Sequence, residues 1–265
     1  MIRLAANLSF LFQDLALPDR FAAASKAGFK GVEYLFPYDW APEDLRARLA
    51  DTNLQQVLFN LSPGDWDTGE RGLASLPSRQ DAFRASVDQA LEYAARLGCR
   101  RLHVMAGLRD GNLSHDAQKE QFIASLSHAA ALAAPEGITL LIEPINTGDM
   151  PGYFLDDFDL AADILTTLAH PNVRLQFDLY HCQRIHGNLS NRLERHLGQT
   201  GHMQIANPPL RAEPDTGELD YRFLLNQIDQ AGYDGWIGCE YKPTRPMTAS
   251  LGWATEFLAN QTPLG

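Results

Sequence analysis

The sequence predicts a closed (β/α)8 barrel, and three observations carry that expectation. The chain has 265 residues, close to the ~250 of one such barrel. Short β-prone apolar runs alternate with longer helical patterns eight times along it. Such alternation implies parallel strands joined by crossover helices, and eight units suffice for closure. The long connections, residues 62–79, 106–115, 144–156 and 207–219, all follow strands. In a barrel they lie on the C-terminal face, where active sites are built.

The units follow in order. Residues 3–8 read as the first strand and 18–27 as its helix, with Pro18 near the start and Gly28 just past the end. A proline there loses no hydrogen bond, and a glycine there takes the left-handed conformation a helix end wants. The second unit is 31–34 and 42–51, opened by Pro42; the third is 55–61 and 80–97, closed by Gly98. Then come 101–105 with 116–134, 139–143 with 157–168, and 173–178 with 191–197. The last two are 202–206 with 221–231, ended by Gly232, and 235–241 with 249–259. No linker splits them, so residues 1–265 read as one domain. An open doubly wound sheet would favour a glycine-rich phosphate loop after its first strand. The run Ser9-Phe10-Leu11-Phe12-Gln13-Asp14 holds no glycine.

Composition narrows the function. Hydrophobic residues are 45% and charged residues 21%, a globular profile. A net charge of −11 repels phosphate backbones and argues against nucleic-acid binding, but it permits a small anionic substrate held by a local basic cluster. Cys99, Cys182 and Cys239 are widely spaced, without a thiolate-zinc or disulfide pattern, and read as buried hydrophobes in a reducing compartment. Residues 1–12 are too short for a membrane span and lack a cleavage signal. The expectation is a cytoplasmic protein with no membrane association, homo-oligomerisation being open.

Three acids sit at or near the C-terminal ends of predicted strands: Glu143, Asp178 and Glu240. Gln204 lies in the strand between the last two. Strands five to eight are neighbours in a barrel, so these four side chains can converge above its mouth. Clustered carboxylates repel and need a cation, and oxygen ligands favour Mg2+ or Mn2+ over zinc. Pro144 holds Glu143 extended. Among the histidines His181, three residues after Asp178, is the best functional candidate; His202 shares a strand face with Gln204, and His103 lies in strand four. Residues 60–72, with three glycines, Trp66 and Arg71, suit a lid that excludes water. Arg71, Arg211 and Lys242 are the basic residues on that face, and an arginine can hold a carboxylate with two hydrogen bonds.

Several strings together resemble the hydroxypyruvate isomerase family of xylose-isomerase-like TIM barrels. They are Ala6-Asn7-Leu8-Ser9, Val32-Glu33-Tyr34-Leu35-Phe36-Pro37-Tyr38, Gly64-Asp65-Trp66, Gly69-Glu70-Arg71-Gly72, Ile142-Glu143-Pro144-Ile145-Asn146, Asp178-Leu179-Tyr180-His181 and Trp236-Ile237-Gly238-Cys239-Glu240-Tyr241-Lys242-Pro243. The resemblance implies that Glu143, Asp178, Gln204 and Glu240 hold a divalent metal and that Glu143 and Glu240 pass protons. The implied reaction is aldose–ketose isomerisation of a small hydroxy-oxo acid, hydroxypyruvate to tartronate semialdehyde through an enediolate. His103-Val104-Met105-Ala106-Gly107 resembles instead a branch acting on 2-oxo-tetronates, one carbon longer. A ketose 3-epimerase, a phosphodiesterase resembling endonuclease IV and a non-catalytic sugar-acid binding protein are the rival readings. The run Ala206-Asn207-Pro208-Pro209-Leu210-Arg211-Ala212-Glu213-Pro214 departs from the family's usual pattern, with Asn207 in place of aspartate and Pro208 added.

Overall fold

Strands buried on both faces read as continuous apolar runs, and the short runs of this chain behave that way. In the computed structural model, which describes residues 1–261, they are β1 (Arg3–Asn7), β2 (Gly31–Glu33), β3 (Gln55–Asn60), β4 (Arg101–His103), β5 (Thr139–Ile142), β6 (Val173–Asp178), β7 (Thr200–Ile205) and β8 (Trp236–Cys239). All pair in parallel in chain order, and β8 closes on β1 through the register Leu4 opposite Ile237 and Ala5 opposite Gly238. The expected barrel is the observed one.

The helices are α1 (Leu17–Lys26), α2 (Pro42–Thr52), α3 (Gln80–Leu97), α4 (His115–Ala133), α5 (Phe158–Leu168), α6 (Leu179–Ile185), α7 (Leu189–His196), α8 (Tyr221–Gln230), α9 (Met247–Ser250) and α10 (Thr255–Ala259). Their apolar faces and the outward faces of the strands form the large core, which includes Phe21, Phe83, Phe122, Phe158 and Phe177. A separate cluster of Ala5, Val57, Leu58, Leu141 and Trp236 fills the barrel interior. It needs a glycine at 31, where a Cβ would lie 2.7 Å from Val57 Cγ2 and 2.8 Å from Trp236 Cζ3. Above that apolar plug the inward side chains turn polar: Asn7, Glu33, Gln176, His202 and Gln204 are all buried.

Two elements differ from the sequence expectation. Between β6 and β7 stand two helices, α6 and α7, where one was predicted over 191–197. The additional α6 starts directly after Asp178, whose side chain accepts the Tyr180 N–H at 2.8 Å and so satisfies an otherwise orphaned helix donor. The helix predicted over 249–259 is broken into α9, a 3-10 turn at Gly252–Ala254, and α10. Glu143 and Glu240 sit one residue beyond β5 and β8. The three cysteines are buried and unpaired. Among the described residues no helix is long and apolar enough to cross a membrane.

Candidate active site

A cavity of about 520 Å3 opens at the C-terminal end of the barrel, lined by Trp66, Glu143, His181, Arg211, Glu240 and Lys242 among others. A larger groove of about 1040 Å3 runs along α8, but its acids Asp215, Asp220, Asp229 and Glu256 are exposed. Only the smaller cavity combines buried acids with converging polar groups, the pattern expected of a site.

Glu143, Asp178 and His181, all buried, each offer a ligand atom, and these atoms lie within 4.8 Å of one another. Burial pushes the Glu143 carboxyl well above its usual range, with Glu240 and then Asp178 adding repulsion. Burial likewise raises Glu240 to about 8 and Asp178 to about 6, even though Arg211 draws both back down. Arg211 pairs with Glu240, and its guanidinium is 3.6 Å from Asp178 Oδ2 and 3.7 Å from Asp149 Oδ2. Glu143 Oε1 and Asp178 Oδ2 have no hydrogen-bond partner. Buried acceptor-only oxygens without donors, on acids held out of their ordinary ionisation range, are the electrostatic setting a hard divalent cation satisfies. The residues present fit such an ion.

A polar layer supports these acids from below. Glu33 Oε1 accepts from Asn7 Nδ2 at 3.0 Å and from Gln204 Nε2 at 2.8 Å, and Glu33 Oε2 lies 2.7 Å from His202 Nε2. Asn7 and Gln204 each donate again to Glu240 Oε2, at 2.9 Å and 2.5 Å. Gln204 is thus among the acids, but its amide nitrogen faces them, and its oxygen accepts from Gln176 at 2.6 Å. His103 Nδ1 is 3.7 Å from Glu143 Oε2; burial lowers His103 to about 3, which keeps it neutral. Burial, then the nearby Arg211, also holds His181 well below the usual imidazole range.

The basic residues separate. The Arg71 guanidinium stacks 3.8 Å over the Trp66 ring and donates to the carbonyls of Trp66 and Glu70, so it braces its own loop. Arg211 is committed to Glu240. Lys242, exposed on the cavity rim, forms no ion pair among the described residues. Arg184, which sequence reasoning passed over, also lines the cavity and is tied to Asp149 Oδ1 at 3.0 Å and Tyr180 Oη at 2.8 Å. Trp66 leans on Phe36 with ring centroids 5.6 Å apart. Its loop is stitched at the base by a Gly72–Ala106 bridge, so close that a Cβ on Gly72 would meet the Met105 carbonyl oxygen at 2.5 Å.

A family model described as xylose isomerase-like TIM barrel matches residues 21–260. The chain belongs to this family. Within it, this xylose isomerase-like barrel is 49% identical to the 2-oxo-tetronate isomerase of Cupriavidus necator, over 97% of this chain and 99% of that protein. It is 40% identical to the hydroxypyruvate isomerase of Escherichia coli, over 97% and 100%. A crystal structure from Brucella melitensis described as AP endonuclease, family 2 superposes with a TM-score of 0.95 at 46% identity, covering 97% of this chain and 99% of that one. The barrel is an enzyme, an isomerase of the intramolecular oxidoreductase kind.

The residues missed from sequence carried a legible signal in part. Asn7 ends β1 and Glu33 ends β2, the same strand-end placement that singled out Asp178. Asn146 and Asp149 lie on the connection after Glu143, and Arg184 rides on the helix that sequence periodicity did not reveal.

Proposed function

We propose that this enzyme interconverts a 2-oxo-tetronate with its 3-oxo isomer by moving a proton between adjacent carbons. One observation carries the reading: Glu143 and Glu240, raised out of the ordinary carboxylate range, enter one buried cavity from β5 and β8. Two carboxyls that face one cavity from different strands are suited to taking and returning a proton. The relatives make the barrel an isomerase of small hydroxy-oxo acids. The strings at 69–72 and 143–146 point to hydroxypyruvate as the substrate. The 49% identity to a 2-oxo-tetronate isomerase, against 40% to a hydroxypyruvate isomerase, together with the string at 103–107, favours the acid one carbon longer.

Glu143, Asp178 and Glu240 would hold the divalent cation, Mg2+ or Mn2+, with Gln204 beside them. When bound, that ion supplies Lewis-acid stabilisation of negative charge on substrate oxygens. One glutamate removes the proton from the hydroxyl-bearing carbon, the other returns a proton to the neighbouring carbonyl carbon, and the hydroxyl proton passes between the two oxygens. Lys242 is the uncommitted cation for the substrate's carboxylate, with Arg211 behind it and Arg71 bracing the lid. Trp66 shields the reacting carbons from water. The unpaired thiols support a reducing, cytoplasmic setting. A phosphodiester substrate is disfavoured, because a chain of net charge −11 repels a nucleic-acid backbone.

The test is a substrate panel of hydroxypyruvate, 2-oxo-tetronates and free ketoses with added Mg2+ or Mn2+, followed by NMR. The expected result is the highest kcat/KM on a 2-oxo-tetronate. Turnover of free ketoses alone would reject the acid, and preference for hydroxypyruvate would reject the chain length.

A further inference from the structure

His181 stands beside two carboxylates in a cation site, where a histidine is ordinarily taken for a ligand. Its hydrogen bonds argue otherwise. His181 Nδ1 faces two donors, both from Asn146: the backbone N–H at 3.3 Å and the side-chain Nδ2 at 2.7 Å. The Asn146 amide is itself oriented, because its Oδ1 accepts the Asp149 N–H at 3.0 Å. Turning it over would set two N–H groups against each other there, and the Asn146 backbone N–H would still face the ring. A ring nitrogen met by two N–H groups serves as acceptor, so the proton of the neutral imidazole resides on Nε2. Nε2 lies 3.6 Å from Asp178 Oδ2, too far for a hydrogen bond. Its proton is therefore not spent on Asp178, and His181 lines the cavity.

We infer that Asn146 is a positioning residue that fixes His181 as the Nε2–H tautomer, making His181 a neutral hydrogen-bond donor to a substrate oxygen and not a cation ligand. A metal-ligating nitrogen needs a free lone pair; an Nε2 that carries the proton has none. A neutral N–H aimed where an enediolate oxygen develops stabilises that charge without surrendering its proton. The local chain explains the placement. Pro144 holds Glu143 extended, and the connection that follows carries Asn146, while the first turn of α6 carries His181. The substrate role rests on the isomerase reading above; the tautomer does not.

The test is long-range 1H–15N NMR of 15N-histidine-labelled protein, with His181→Gln assigning the signals. In the parent protein, with and without saturating Mg2+, a protonated Nε2 and a bare Nδ1 are expected. Asn146→Asp replaces the amide donor by an acceptor and should place a proton on Nδ1. It should lower kcat about 10–100-fold on the acid the panel turns over, with little change in KM. Asn146→Ala keeps only the backbone donor and should fall between. A protonated Nδ1 in the parent overturns the inference, as does loss of the Nε2 proton on adding Mg2+, which would make His181 a ligand. An Asn146→Asp protein with the changed tautomer and an unchanged kcat overturns the donor role. The spectra are recorded without substrate, so a failed substrate panel leaves the tautomer result standing or falling by itself.

Discussion

Gly238, in the middle of β8, leaves room for the Glu33 carboxylate, and Gly238→Ala probes how much the polar layer contributes. A Cβ at 238 would lie 2.1 Å from Glu33 Oε1, 2.5 Å from Cδ and 2.6 Å from Oε2. An ordinary carbon–oxygen contact is roughly 3.3 Å, so the carboxylate must retreat by about 1.2 Å. That displacement takes the Asn7 and Gln204 hydrogen bonds, at 3.0 Å and 2.8 Å, out of range together. Bonds to a charged group contribute about 1.5–3 kcal/mol each. Losing two costs about 3–6 kcal/mol, offset by about 0.5–1 kcal/mol because alanine is the better strand residue. The net expectation is a destabilisation of about 2–5.5 kcal/mol by urea denaturation of the chelated protein. In a Glu33→Ala background the obstruction is gone, and the same substitution should cost under about 1 kcal/mol, a coupling that a double-mutant cycle reads directly. A Gly238→Ala protein within about 1 kcal/mol of the parent would refute the reasoning.

Chelation should abolish activity and Mg2+ or Mn2+ should restore it; full turnover by demonstrably metal-free protein would exclude the cation. Burial raises the pKa of Glu240 to about 8 and that of Asp178 to about 6. The native state therefore holds protons that the unfolded chain has released, and stability of the chelated protein should fall as pH rises from the ordinary carboxylate range through about 8. Mg2+ displaces those protons, so its affinity should climb over the same interval; melting curves in EDTA and in Mg2+ check both, and a chelated Tm that rises throughout contradicts the assignment. Lys242→Met should raise KM for the acid about 10–100-fold, the worth of one charged hydrogen bond, while Arg71→Met should leave KM near the parent value. Glu143→Gln and Glu240→Gln should each cut turnover by about 10²–10⁴. The parent in D2O should wash deuterium into product, and complete retention of the migrating hydrogen would point to a hydride shift instead.

The barrel is legible in the sequence because its strands, buried on both faces, leave short apolar runs that the amphipathic helices separate cleanly. The acids Glu143, Asp178 and Glu240 are legible because each closes such a run. Asn7 and Glu33 end strands too, but attention to strands five through eight alone passes over them, although closure sets β1 beside β8 and β2 beside β1. Helix α6 is not legible: its seven residues make fewer than two turns, too few for a periodic signal, and its start depends on a side-chain cap. Arg184 follows Tyr180 by one turn of that helix, so it cannot be placed without it. The orientation of Arg71 is decided by stacking on Trp66, a contact within the loop that spacing does not encode. Nor does spacing tell which end of the Gln204 amide meets the acids, since that depends on Gln176 of the neighbouring strand β6.

Asp178 divides its oxygens between unlike duties: Oδ1 closes the first turn of α6, and Oδ2, buried without a hydrogen-bond partner, lies 3.6 Å from His181 Nε2 and 3.6 Å from the Arg211 guanidinium. An asparagine at that position would still offer an oxygen to the Tyr180 N–H, and asparagine is as good a helix cap as aspartate. What it would withdraw is the negative charge above the barrel. With Asp178 as a holder of the proposed cation, architecture and chemistry are separable at this one residue, and a duplicated gene drifting away from catalysis can shed the reaction here while inheriting the barrel whole.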